Sequence, residues 1–102
     1  MIKLSDYVFQ FLQEKGVQYA FMLPGGGAMH LDDSIGRSGI QYICTLHEQA
    51  AAVAAEAYAQ HTNRIGVCLT TSGPGATNLV TGIATAYMDS VPMVAITCNV
   101  GT

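Results

Sequence analysis

Four short apolar segments alternate with helical segments along this chain, and this alternation constrains the fold more than any other feature. The apolar segments are VQYAFML at 17–23, IQYICTL at 40–46, RIGVCLTT at 64–71 and VPMVAIT at 91–97. Their length and their β-branched and aromatic residues are typical of strands. The runs GVCL and MVAI lack polar alternation, which predicts strands covered on both faces. Alternating strands and helices predict an open doubly wound α/β fold, a parallel sheet with helices on both faces.

The segments between the strands carry helix signals. An amphipathic stripe at helical spacing is formed by Leu4, Tyr7, Val8, Phe11 and Leu12. Ser5 is the predicted N-cap of this first helix, and Gly16 is its predicted C-terminal stop. A short helix is predicted to end near Arg37, and residues 47–61 form a helix by their alanine content. SGPGAT then opens a further helix that is predicted to continue to about Met88.

Composition excludes several classes of function. The 102 residues suit one small domain, and only 11% of them are charged, against about 25% in a typical soluble domain. The cations Lys3, Lys15, Arg37 and Arg64 are scattered, so we expect no nucleic-acid partner. No apolar run approaches the roughly 18 residues of a membrane span, and the start of the chain lacks the apolar core of a signal peptide. We therefore expect no membrane association.

The cysteines indicate the redox environment. Cys44, Cys68 and Cys98 are widely spaced within apolar stretches and form no CxxC pair. An odd, dispersed set of this kind predicts buried free thiols in a reducing compartment, and hence a cytoplasmic location. The spacing of Cys44, His47 and His61 does not match a zinc site, so no metal ligand is predicted in this chain.

The end of the chain raises a question of completeness. The sequence stops directly after the apolar segment MVAI and a few further residues, before another helix could cover that strand. A parallel strand in this position exposes apolar surface and an unpaired edge. We therefore expect residues 1–102 to be the N-terminal part of a longer, multidomain protein. The alternative is a small protein that buries this end against a partner.

Binding sites of doubly wound folds lie at the carboxyl ends of the strands, which selects three loops. PGGG at 24–27 permits close approach of a ligand to the backbone, but a plain tight turn explains it equally well. SGPGATN at 72–78 contains GxGxxN, a near match to the dinucleotide fingerprint. Its place after the third strand, and the lack of an acid about 20 residues later, weaken a nucleotide site. Glu48 in TLHEQ begins a helix, where the helix dipole alone would favour an acid.

Together the three loops predict one crevice, with two glycine-lined walls and a single carboxylate set among alanines. A carboxylate in such surroundings loses hydration, so we expect the pKa of Glu48 to rise. Glu48 could then share a proton with a ring nitrogen rather than remain a bare charge. The segment CNVGT after the fourth strand is expected to join this crevice.

Three segments resemble the N-terminal pyrimidine-binding domain of thiamine-diphosphate-dependent enzymes: LPGGGAMHLDDS, TLHEQAAAVAAEAYA and TTSGPGATNLVTGIATAYMDSVPMVAIT. The branch that they resemble most contains acetolactate synthase and its decarboxylase and carboligase relatives. The resemblance extends over essentially the whole chain, and TSGPGATN followed by DSVP is its most specific part.

The resemblance implies a role for each loop. Glu48 would contact N1′ of the cofactor's aminopyrimidine and favour the imino tautomer, whose 4′-nitrogen removes the proton from C2 of the thiazolium. The residues that would border or shape the cofactor pocket are Gly25, Gly26, Thr71, Ser72, Pro74 and Asn78. Gly27 and Asn99 would lie on the substrate side.

The resemblance also implies substrates and partners. The substrate would be a 2-keto acid such as pyruvate, and a second carbonyl compound would be the acceptor. The diphosphate and Mg²⁺ would be bound by a further domain with a GDG…N motif, in the partner subunit of a homodimer or tetramer. These residues contain no such motif, so the piece alone would be inactive. Nothing in them indicates a flavin such as FAD.

Two features depart from the acetolactate synthase pattern. Cys98, Asn99 and Val100 stand where these enzymes commonly have G-Q-V, and two alanines follow HEQ in place of Gly-Ala. The departures leave the role of Glu48 intact but leave the product open, including products of surface-polysaccharide pathways. The alternatives to an enzyme are a non-catalytic truncated or regulatory module with the same fold, and a Rossmann-like nucleotide-binding domain.

Overall fold

The computed structural model describes residues 1–99 as a parallel sheet flanked by helices. The strands are β1 (Tyr19–Met22), β2 (Gln41–Cys44), β3 (Gly66–Leu69) and β4 (Met93–Ile96). The helices are α1 (Leu4–Glu14), α2 (Met29–Arg37), α3 (Glu48–Thr62), α4 (Pro74–Thr77) and α5 (Val80–Met88), and a 3-10 turn at Gly26–Ala28 precedes α2. All strand pairs are parallel, in the order β2-β1-β3-β4. This topology confirms the predicted open doubly wound α/β fold.

Successive residues of each strand point to opposite faces of the sheet, and this alternation builds two cores. The first core joins α1 and α2 to the sheet and contains Phe9, Leu12, Val17, Ala20, Met22, Ile35, Ile40, Val67 and Leu69. The second core joins α3 to the opposite face and contains Ala51, Ala52, Ala55, Cys68 and Leu79. The sheet therefore carries helices on both faces, as the sequence predicts.

The two continuous apolar strands differ in burial. All four residues of β3, an inner strand, are buried. In β4 no residue is fully buried, and Ala95 is exposed. Within residues 1–99, β4 pairs with β3 alone and forms an edge of the sheet. Val94 and Ile96 pack against the first core and Met93 against the second, so the prediction that β4 is covered on both faces is met only in part by the described residues.

The alanines of α3 form a flat surface that lets this helix approach its neighbours closely. The buried alanines of this surface are Ala51, Ala52, Ala55 and Ala59, each at most 1% exposed. A Cβ at Gly66 of β3 would collide with the carbonyl oxygen of Ala55, and a Cβ at Gly82 of α5 would collide with Ala52. Small residues on both sides of each contact therefore set the short distances from α3 to the sheet and to α5.

The start of α1 differs from the prediction. Lys3, not Ser5, occupies the N-cap position, and its side chain makes no capping hydrogen bond. Ser5 lies inside the helix and is buried against α2, where its hydroxyl accepts a hydrogen bond from the Ser34 hydroxyl at 2.7 Å. The contact between two helices therefore determines the role of Ser5, and the local sequence does not show that contact.

Gly16 ends α1 as predicted. Its φ of +89° lies in the left-handed region that favours glycine. The N–H groups of Gly16 and Val17 donate to the carbonyls of Gln13 and Leu12. This pair of bonds is the Schellman arrangement, which satisfies carbonyl groups at the end of the helix.

The helix predicted to run from SGPGAT to about Met88 is interrupted. Pro74 occupies the first position of α4, as expected of a proline, and α5 begins at Val80. Asn78 and Leu79 form the turn between the two helices. Leu79 is fully buried in the second core, and the Asn78 side chain is directed to α3. The break between α4 and α5 therefore coincides with two contacts to distant residues, and helix propensities do not predict such contacts.

Candidate functional site

The loops that follow β1 and β3 lie side by side at the carboxyl ends of the two inner strands. β1 is followed in the chain by β2, at one edge of the sheet, and β3 is followed by β4, at the opposite edge. This reversal is the topological switch point at which doubly wound folds bind ligands. The Leu23 N–H donates to the Leu69 carbonyl at 3.2 Å and joins the two loops at their base.

The glycines of these loops pack closely around Thr71. A Cβ on Gly25 would lie 2.7 Å from Thr71 Cβ, and a Cβ on Gly27 would lie 2.6 Å from Thr71 Oγ1 and 3.1 Å from Ser72 Oγ. A Cβ on Gly75 would lie 2.9 Å from Thr71 Cγ2. All of these distances are shorter than ordinary van der Waals contact. The absence of side chains at Gly25 and Gly27 therefore permits the two loops to meet, and the absence of one at Gly75 permits α4 to pack on Thr71 within the segment after β3.

Glu48 is the first residue of α3, and a side chain from the α4–α5 turn holds its carboxylate. Asn78 Nδ2 donates to Glu48 Oε2 at 3.1 Å, and the Glu48 side chain is only 15% exposed. His47 is the N-cap of α3, since its Nδ1 accepts from the Gln49 N–H at 3.1 Å. His47 Nε2 lies 3.9 Å from Glu48 Oε2. The structure thus brings Glu48 and Asn78 together and assigns His47 to the helix cap.

The expected rise in the pKa of Glu48 is wrong. The carboxylate accepts hydrogen bonds from its own backbone N–H and from Asn78, and both bonds lower its pKa below the ordinary value of a glutamate. Partial burial raises the pKa but is the smaller effect, and the neighbouring His47 lowers it slightly further. Glu48 is therefore ionised at neutral pH and acts as a hydrogen-bond acceptor.

The other predicted site residues lie at the margin of this arrangement. Pro74 is the exposed first residue of α4. Gly26 is exposed at the start of the 3-10 turn, and a Cβ there would meet no atom within 4 Å. Asn99 is exposed in the segment after β4. The remainder of the predicted CNVGT wall, from Val100 onwards, lies outside the described residues.

Asp32 of α2 contacts the loop after β1, although the sequence did not single it out. Its Oδ2 accepts a hydrogen bond from the Gly25 N–H at 3.2 Å, and burial raises its pKa. The pKa of Cys98, in the segment after β4, is raised by burial and by the negative charge of Asp32. No sequence pattern distinguishes Asp32 from the adjacent Asp33, because either acid could have been the exposed residue of an amphipathic helix.

An apolar groove lies apart from the candidate site, and the described residues offer neither a metal site nor a membrane-spanning helix. A groove of about 520 Å³ lies between α1, α2 and the end of β4, and its apolar lining includes Leu4, Val8, Leu31 and Ile96. None of the candidate residues lines this groove. Among residues 1–99, no group of three or more His, Cys, Asp or Glu side chains could hold a metal ion, and no helix is long and apolar enough to cross a membrane.

Comparison with known proteins identifies the family to which this chain belongs. The family model described as thiamine pyrophosphate enzyme, N-terminal TPP binding domain, matches residues 2–102. The acetolactate synthase of Arthrospira platensis is 54% identical over 93 residues, which cover 87% of this chain and 16% of that protein.

Two further relatives agree with this result. The acetolactate synthase large subunit of Haemophilus influenzae is 50% identical over 103 residues, which cover 98% of this chain and 18% of that protein. The acetolactate synthase isozyme 2 large subunit of Escherichia coli is 47% identical over 96 residues, which cover 94% of this chain and 18% of that protein. The chain thus spans less than a fifth of the length of these relatives. The match over nearly its whole length shows that the chain belongs to the thiamine pyrophosphate enzyme family, within the N-terminal TPP-binding domain.

Proposed function

We propose that this chain is the first part of the pyrimidine-binding domain of a longer, thiamine-diphosphate-dependent enzyme. The reaction proposed is that of a lyase or transferase: decarboxylation of a 2-keto acid such as pyruvate, and transfer of the remaining fragment to a second carbonyl compound. The observation that carries the proposal is the ionised Glu48 carboxylate, held by Asn78 of the turn that follows the glycine-containing segment after β3. The names of the relatives, acetolactate synthases, support this class of reaction.

The described residues fit an aminopyrimidine ring. A carboxylate offers about four acceptor positions, and the bonds from Asn78 and the Glu48 N–H leave capacity for a further donor such as a ring N–H. Gly25 and Gly27 pack against Thr71, and space is open beside Gly26, where a Cβ would meet no atom within 4 Å. The donor set and the shape of the loops are therefore compatible with a flat, nitrogen-bearing ring.

The residues of the chain would act by orienting the ring and controlling one proton. Glu48 would accept a hydrogen bond from N1′, and its negative charge would stabilise a proton at that nitrogen. Asn78 would fix Oε2, while Thr71 and Ser72 would shape the wall that the ring meets. When bound, thiamine diphosphate supplies the carbanion chemistry that no amino-acid side chain provides.

We also propose that the rest of the site comes from outside these residues. The chain spans less than a fifth of the length of its relatives, so the ligands for the diphosphate and for Mg²⁺ would lie elsewhere in the full protein. A second domain from a partner subunit of a homodimer or tetramer would supply them, and the assembly would work in the cytoplasm. The roles of Gly27 and Asn99 on the substrate side belong to the same proposal.

The role of Glu48 is tested by hydrogen–deuterium exchange at C2 of thiamine diphosphate bound to the full-length protein. Glu48→Gln keeps the shape of the side chain but removes its charge. We expect exchange to slow by about a hundredfold or more, the usual contribution of a positioned acid–base group. Glu14→Gln is the matched control, because Glu14 is exposed on α1 and its only side-chain hydrogen bond within residues 1–99 comes from Gln10 Nε2, at 3.4 Å.

The outcomes separate the alternatives. Normal exchange in Glu48→Gln would contradict the assigned role. Cofactor binding without any exchange in the unmodified protein would favour a non-catalytic module. Calorimetric binding of NAD in place of thiamine diphosphate would favour the Rossmann-like alternative.

A further inference from the structure

Asp32 and Asp33 are neighbours on α2 but have opposite environments. Asp33 is 59% exposed and pairs with Arg37 at 2.9 Å and with Lys3 at 3.6 Å. Asp32 is directed inward, and its Oδ2 accepts from the Gly25 N–H at 3.2 Å. Its Oδ1 is buried and has no hydrogen-bond partner among the described residues. Asp33 therefore belongs to a surface ion network, whereas Asp32 is partly buried beside the glycine loop.

The inward carboxylate is unfavourable for the folded state, apart from one contact. A buried acceptor without a donor loses its hydration without compensation. The raised pKa of Asp32 reflects the same loss of hydration, which the bond from Gly25 only partly offsets. Burial disfavours the charged carboxylate of Asp32. The hydrogen bond from the Gly25 N–H partly compensates for this cost.

The hydrogen bond to Asp32 can affect the candidate site through Gly25, which belongs to the loop after β1. Its N–H donates to Asp32, and its carbonyl accepts from the Ala28 N–H at 2.9 Å. A Cβ on Gly25 would lie 2.7 Å from Thr71, so the loop has little space to move toward the neighbouring loop. Asp32 bonds to the loop from α2 while Thr71 packs against it from the β3 side.

We propose that Asp32 is a positioning residue, whose carboxylate fixes the Gly25 amide and thereby holds the glycine loop against Thr71 and Ser72. The consequence for ligand binding rests on the proposed function, in which this loop borders thiamine diphosphate. The hydrogen bond itself does not depend on that function, and the two parts can be tested separately.

The first test measures hydrogen–deuterium exchange of the Gly25 amide in the full-length protein, by mass spectrometry with residue-resolving fragmentation. Asp32→Ala removes the acceptor, and we expect the Gly25 amide to exchange about tenfold faster or more, as for a lost bond to a charged group. Asp32→Asn retains an oxygen acceptor and should restore most of the protection. Asp33→Asn is the matched control and should leave exchange at Gly25 unchanged. Unchanged exchange in Asp32→Ala would overturn the proposal.

The second test measures the Kd of thiamine diphosphate by calorimetry for the same variants. We expect Asp32→Ala to weaken binding about five- to tenfold, while Asp32→Asn and Asp33→Asn stay within about twofold of the unmodified protein. If Asp32→Ala does not fold, Asp32→Leu removes the acceptor while filling its volume, and the same results are expected. Faster Gly25 exchange with an unchanged Kd would overturn the role in binding. An unmodified protein that binds no thiamine diphosphate would instead contradict the proposed function and leave the exchange result intact.

Discussion

Replacing Gly82 with alanine should loosen the contact between α3 and α5. Gly82 is buried, and a Cβ there would meet the Ala52 Cβ as well as the Ala52 carbonyl carbon at 3.0 Å and Cα at 3.2 Å. Two of these atoms belong to the backbone of α3, so no rotamer change can move them away. The added methyl group must therefore displace one helix relative to the other.

The expected magnitude follows from two opposing effects. An alanine in a helix is favoured over a glycine by about 0.8–1 kcal/mol. Overpacking a well-filled core costs about 1–3 kcal/mol, and contact with rigid backbone places this case in the upper part of that range. Gly82→Ala should therefore lower the free energy of unfolding by about 1–2 kcal/mol.

Gly36→Ala is the matched control for this effect. Gly36 also lies within a helix, α2, but a Cβ there would meet no atom within 4 Å. Only helix propensity acts at this position, so the variant should gain up to about 1 kcal/mol. Urea denaturation followed by circular dichroism measures both variants, and unchanged m-values would show that the same folded state is being compared.

The result that would refute this reasoning is a Gly82→Ala variant as stable as Gly36→Ala. A second readout concerns the site. Asn78 lies two residues before α5, and Glu48 begins α3, so separating these helices should lengthen their 3.1 Å hydrogen bond. The pKa of Glu48 should then rise toward its ordinary value.

Three further predictions concern titration and reactivity. Asn78→Ala should raise the pKa of Glu48 in a carbon-13 NMR titration of its carboxyl group, because it removes one of the two bonds that lower that pKa; an unchanged pKa would contradict this cause. Asp32 has a raised pKa when folded, so its contribution to stability falls as the pH rises from about 4 through the folded pKa. Asp32→Asn should therefore raise the free energy of unfolding more at pH 7 than at pH 3 in urea titrations. An equal increase at both pH values would contradict the raised pKa of Asp32. Cys44 is exposed, so the prediction that all three thiols are buried is wrong for it, whereas burial raises the pKa of Cys68 to about 11. A thiol reagent at pH 8 should therefore label Cys44 and leave Cys68 unmodified until urea unfolds the chain; equal labelling of both in the folded protein would contradict this.

The order of elements could be predicted from the sequence because each depends on a local pattern. The helical spacing in α1, the alanine content of α3 and the buried run of β3 were sufficient to identify them. The predicted strands extended beyond the four residues that pair in each case, since apolar residues flanking a strand cannot be separated from it by composition alone.

The features that the sequence did not reveal depend on contacts between distant residues. Ser5 forms no cap because its hydroxyl meets Ser34, which lies 29 residues away in the chain. The turn at Asn78 and Leu79 accompanies the burial of Leu79 and a hydrogen bond from Asn78 to Glu48, 30 residues away. The lowered pKa of Glu48 has the bond from its own N–H as its first cause and the bond from Asn78 as its second. Alanine around Glu48 suggested a dehydrated acid, but the direction of the pKa shift depended on donors that the surrounding residue types do not indicate.

The packing around Thr71 limits how this site can be altered. Gly25, Gly27 and Gly75 all have Thr71 as the nearest obstacle to a Cβ. A side chain at any of these positions therefore requires Thr71 to move or to become smaller, and at Gly27 Ser72 must also give way. Libraries that vary the loop after β1 alone would sample mostly clashes with Thr71, whereas libraries that vary position 71 together with positions 25 and 27 could exchange volume between the two loops.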